Sequence, residues 1–139
     1  MKFIIQKTER WLHINDYEGQ VYGLIEDQQL CAHLLVNEPE DWLKCTVNTI
    51  INVDFWLERT GKIEKSPPDT PPCLRQLKES SYSVTGVVSE IIDEEEIILN
   101  SLFPIRVDLD FTAHTTAQMA EFNVGDCLQV IGQIKIDFE

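Results

Sequence analysis

Positive charge is scarce in this chain. Its 139 residues hold 11 Lys and Arg against 24 Asp and Glu, for a formal net charge of −13. The shortage is sharpest after residue 80, where Arg106 and Lys135 stand alone against eleven acidic groups. Affinity for phosphate backbones comes largely from Lys and Arg displacing counterions, so this balance makes nucleic acid an unfavoured partner. No run approaches eighteen apolar residues, so no membrane span is expected. The start, MKFIIQKTERW, has three apolar residues before Gln6, too short for a secretory signal, and a cytoplasmic location is expected. The four cysteines at 31, 45, 73 and 127 form no CxxC pair, and in a cytoplasmic chain they are expected to be reduced and mostly buried. The phosphate-cradling, nucleophile-elbow and zincin motifs GxGxxG, GxxxxGK[ST], GxSxG and HExxH are all missing.

What the chain has is alternation. Leu128, Val130, Gly132, Ile134, Ile136 and Phe138 occupy every second position after a turn at Val124-Gly125-Asp126. Period two puts such residues on one face of a strand. The same pattern predicts strands at Phe3–Ile5, at 11–14, at Gln20–Ile25 and at Leu30–Val36, with a polar turn over 26–29. A long strand is read over 46–58, with Val47, Thr49, Ile51, Val53, Phe55 and Leu57 on one face. Pro39 and the acids around it mark a loop or a single helical turn. Four prolines within 66–72 fix φ and remove donors, so an extended connector is expected over 66–79, with a helical stretch from Leu74 to Glu79. Strands resume at 82–91, with Gly86 as a bend, and at 97–99 and 105–111. A short helix is expected near 115–122, ahead of the closing strand.

Strand, hairpin, strand, short helix and long bent strand resembles much of an OB-like barrel over roughly residues 80–139. That stretch supplies four strands where such a barrel needs five, so something in residues 1–60 has to complete it. The expected fold class is therefore all-β: an OB-like or related small β-barrel or sandwich of about seven to nine strands. It forms either one β-rich domain over 1–139 or two β-halves, 1–65 and 80–139, joined by the proline-rich connector. A faint echo bears on that choice: Ile51-Asn52-Val53-Asp54-Phe55 matches Ile134-Lys135-Ile136-Asp137-Phe138. Two related halves would produce it, and so would chance alternation of common strand residues.

Chemistry-bearing clusters are few. Cys31-Ala32-His33 on a strand puts thiol and imidazole on one side, the start of a dyad or of a zinc site that lacks two further ligands. The run Asp93-Glu94-Glu95-Glu96 lacks the spacing and glycine of a calcium loop and reads as a solvated turn. No catalytic centre, metal site or cofactor is expected. The function that fits is a non-catalytic acidic β-domain binding another protein, in the manner of an inhibitor, immunity protein or adaptor, with a basic partner favoured. Its candidate contacts are Asp93, Glu94, Glu95 and Glu96, then Asp108 and Asp110, which alternate with Val107 and Leu109. A separate patch is formed by Trp56 and Arg59, residue types that dominate interface energetics. Exposed strand edges also allow a homodimer. The alternatives are an OB-type binder of single-stranded nucleic acid or a small ligand, and a metal protein built on Cys31 and His33.

Overall fold

The computed structural model describes residues 1–11, 17–109 and 122–139. The described residues are mostly β with one short helix among them, and their strands follow one another around a ring. The elements are β1 (Lys2–Trp11), β2 (Tyr17–Ile25), β3 (Gln28–Val36), α1 (Pro39–Leu43), β4 (Ile50–Glu58), β5 (Ile63–Lys65), β6 (Cys73–Lys78), β7 (Ser81–Ile91), β8 (Glu96–Asn100), β9 (Pro104–Asp108) and β10 (Cys127–Phe138). The helix expected near 115–122 lies outside the described residues apart from Phe122, which is buried.

Two circuits of five strands share two members. In the first, β1, β2 and β3 run antiparallel in order. β3 then meets β10 in parallel at His33 and Lys135, and β10 pairs antiparallel with β4, which returns to β1. In the second, β7, β8 and β9 run antiparallel, β9 meets β4 in parallel, and β4 pairs with β10, which returns to β7. The fifth strand that residues 80–139 lack is thus β4 from the first half.

β10 can serve both circuits because it turns midway. Up to Gln133 it pairs with β7; from Ile134 it pairs with β4. Gly132 sits at the handover, where a Cβ would come within 2.8 Å of the Glu58 carbonyl oxygen, so only glycine lets the strand pass. The alternation predicted there holds as far as Ile136: Leu128, Val130, Gly132, Ile134 and Ile136 are all buried, and Phe138 is half-buried. One core fills the interior, and Phe55 joins its parts. Its ring lies edge-on to Phe3 at 5.6 Å and tilted against Phe103 at 4.8 Å.

Three expectations are corrected. Leu74–Glu79 is not helical: Cys73–Lys78 forms β6, paired with β7 across a turn at Glu79 and Ser80, so the unpaired proline-rich connector spans 66–72 rather than 66–79. Residues such as Leu, Arg, Gln and Lys favour helix locally, but pairing along the length of β7 outweighs a preference of tenths of a kcal/mol per residue. The strand read over 46–58 begins at Ile50, because Asn48 takes φ +69° and turns the chain, leaving Val47 half exposed. The two short strands read at 3–5 and 11–14 belong, as far as Trp11, to one strand with a bulge between Ile5 and Lys7.

Candidate protein-docking surface

Outward-facing positions of β4 carry Asp54, Trp56 and Glu58, since Val53, Phe55 and Leu57 point into the core. Trp56 faces outward, half-buried, and the cation over its ring is Arg106. The parallel pairing of β4 with β9 sets Arg106 opposite Trp56, and the guanidinium lies 4.3 Å from the ring centroid. The same guanidinium grips Glu96 Oε2 through Nε at 3.0 Å and Nη2 at 2.7 Å. On the other side of Trp56 the ladder places Lys135, whose ammonium stands 3.5 Å from both Glu58 and Asp137. The two basic side chains of the last sixty residues therefore flank one half-buried indole, each matched to carboxylates. Arg59 lies beyond the strand at φ +50°, exposed, on the rim of a groove of about 250 Å³ shared with Gly61, Ser81 and Gln133.

The acidic run divides. Asp93, Glu94 and Glu95 are exposed at the turn between β7 and β8, shaped by the Glu95 amide donating to Asp93 Oδ1 at 2.7 Å. Glu96 opens β8, is half-buried and is held by Arg106, so it belongs to the band around Trp56 rather than to the tip. Asp108 ends β9, half-buried and opposite Glu96 in register, while Val107 and Leu109 are buried as the alternation requires. Asp110 lies outside the described residues. Beside these three exposed acids, Ile91 is 39% and Ile92 43% exposed, and Glu90 is exposed next to them. The tip of this hairpin thus exposes two aliphatic side chains and four acidic ones within six consecutive residues.

Cys31 and His33 are both buried, and each has its own partner on β2. The thiol donates to Gln20 Oε1 at 3.0 Å, as does the Tyr22 hydroxyl at 3.1 Å, and Gln20 Nε2 donates to Glu79 at 2.6 Å. The Cys31 amide donates to the Tyr82 hydroxyl at 3.0 Å. Burial pushes the Cys31 thiol up to about 11, and burial, followed by the adjacent Cys31, pushes Tyr22 up to about 12. A thiol held protonated and donating is a poor nucleophile at neutral pH. The His33 imidazole is 2.8 Å from Glu18 and stacks on Trp11 at 5.6 Å. This network sits where β10 parts from β3, beside a groove of about 320 Å³, and supplies the partner that the diverging strand no longer gives the Cys31 amide. Among the described residues, no three His, Cys, Asp or Glu side chains are grouped so as to hold a metal ion.

Sequence reasoning missed Arg106 and Lys135 as the neighbours of Trp56, because their proximity is a matter of pairing between distant strands. It also missed a basic stretch of sequence. Residues 59–78 hold Arg59, Lys62, Lys65, Arg75 and Lys78 against Glu64 and Asp69, a net +3 in a chain of −13. No family model matches the chain, and neither a curated protein nor a solved structure matches it. Among the described residues no helix is long and apolar enough to cross a membrane.

Proposed function

We propose that this chain is a non-catalytic binding module that docks on a basic protein, in the cytoplasm, through the tip of the β7–β8 hairpin. The observation that carries the reading is the combination at that tip: Ile91 and Ile92 part-exposed, with Glu90, Asp93, Glu94 and Glu95 around them. An apolar centre with a charged rim is the usual anatomy of an interface. The carboxylates steer a cationic partner into encounter, and the isoleucines slow its departure. The protonated, hydrogen-bonded state of Cys31 supports a binding role over a nucleophilic one.

The test is capture from native lysate on the immobilised chain, run beside two variants. One reverses the rim (Asp93→Lys, Glu94→Lys, Glu95→Lys) and the other removes the apolar centre (Ile91→Ser, Ile92→Ser). A partner retained by the parent, lost by both variants and released progressively as salt rises is the expected result. Equal capture by all three chains refutes the assignment of the hairpin tip.

A further inference from the structure

β6 has one ladder partner. It pairs with β7 through Cys73, Leu74, Arg75, Gln76 and Lys78, and it stands last in the strand order, so among the described residues its other edge has no strand beside it. Five of its six residues are exposed and Leu74 is half-buried. An open edge presents unpaired backbone donors and acceptors, a template for any extended chain. Proteins blunt such edges with charge, and β6 carries charge of one sign only. Arg75 and Lys78 are exposed on it with no acidic residue between Cys73 and Lys78, and it lies within the stretch of sequence 59–78 that carries a net +3.

We propose that β6 is a docking edge for an extended acidic segment of another protein, which adds to the sheet as a further strand. Backbone bonding supplies the register and charge supplies the choice. Identical β6 edges brought together in two copies would juxtapose Arg75 and Lys78 with their own kind, which disfavours self-pairing. An alternating acidic strand sets carboxylates against them, and cross-strand pairs of opposite charge contribute roughly 0.2–1 kcal/mol each. Leu77 is 46% exposed at the irregularity between Gln76 and Lys78, and offers an apolar contact beside the two cations. This site is opposite in sign to the β7–β8 tip, and the occupant differs accordingly.

The test uses the full chain and a blocked ten-residue peptide of alternating Glu and Thr, labelled for anisotropy, at low salt. Two control peptides accompany it: alternating Lys and Thr, and the acidic peptide with proline at alternate threonines, which cannot complete a ladder. Expected are saturable binding of the acidic peptide, loss of on the order of tenfold in affinity for each control, and slowed amide exchange confined to 73–78. Arg75→Glu with Lys78→Glu should invert the preference toward the Lys peptide, while Asp93→Lys with Glu94→Lys should leave it unchanged. Equal binding of the proline-interrupted peptide would show a charge contact without strand addition and overturn the proposal. A dimer at micromolar concentration whose β6 amides are already protected would overturn it too, because a second copy would then hold the edge.

Discussion

Truncating Phe55 should weaken both five-stranded circuits at once. The side chain is 1% exposed, its strand β4 belongs to both circuits, and its ring touches Phe3 from the first and Phe103 from the second. Removing a buried phenylalanine ring costs about 3–5 kcal/mol, the transfer term plus the cavity left behind. Against a typical total of about 5–15 kcal/mol, Phe55→Ala leaves a marginal fold, and Phe55→Leu is the informative milder variant at roughly 1–2 kcal/mol. Urea unfolding followed by tryptophan fluorescence and by far-ultraviolet circular dichroism should give coincident, single transitions for parent and variants. Native-state hydrogen exchange is the sharper assay. Amides of β2, which only the first circuit contains, and of β8, which only the second contains, should accelerate together, by roughly a hundredfold or more in Phe55→Ala. Double-mutant cycles with Phe3→Leu and Phe103→Leu should each return a coupling of about 0.5–1.5 kcal/mol. If β8 amides accelerate while those of β2 keep their protection, the cores are separable and the shared-strand argument fails.

Gly86→Ala should destabilise by about 1–3 kcal/mol in urea titrations, because its Cβ would lie 2.4 Å from the Asn100 carbonyl oxygen, a backbone atom that cannot swing aside. Arg106→Leu should shift Trp56 emission yet cost no more than about 1 kcal/mol, an effect that shrinks in high salt, since the ion pair with Glu96 is part-exposed. Alkali should destabilise the fold: burial raises Cys31 and Cys45 from 9.0 to about 11, so their contribution is complete below pH 9 and is lost as pH rises toward 11. Denaturation at pH 8 and pH 10.5 should differ by about 3–4 kcal/mol more for the parent than for Cys31→Ala/Cys45→Ala, and an unchanged difference would refute the assignment.

Strands whose partners do not affect their pattern were legible in the sequence. Ile105, Val107 and Leu109 alternate inward, as do Val53, Phe55 and Leu57, because each faces a single core and period two records that. The turn at Glu26 and Asp27 was legible as a polar break, and its positive φ at both residues, +47° and +67°, matches a two-residue hairpin turn. β6 was not legible, since it buries little and its strand character comes from β7 rather than from its own residues. The company of Trp56 was not legible either. Arg59 is near in sequence, but strand geometry sends it past the end of β4, while Arg106 arrives by parallel pairing. The basic stretch 59–78 was hidden within residues 1–79, where thirteen acids outweigh it.

The echo between Ile51–Phe55 and Ile134–Phe138 acquires a physical meaning in the fold. The two segments are ladder neighbours, antiparallel, and Asp54 pairs with Asp137, its own counterpart in the echo. Val53 pairs with Phe138 and Phe55 with Ile136, so the register is symmetric about that aspartate pair. The symmetry extends outward. Each half contributes an antiparallel run of three strands, β1–β3 or β7–β9, and the third strand of each meets the fourth strand of the other half in parallel. Two like charges directly opposite each other are unfavourable on a sheet. Burial and a hydrogen bond with Glu139 raise the Asp54 carboxyl above its ordinary range, and Lys135 lies within 3.5 Å of Asp137, which eases the repulsion. The pairing of β4 with β10 and the reciprocal sharing of strands thus share one local two-fold arrangement, whatever the origin of the repeated sequence.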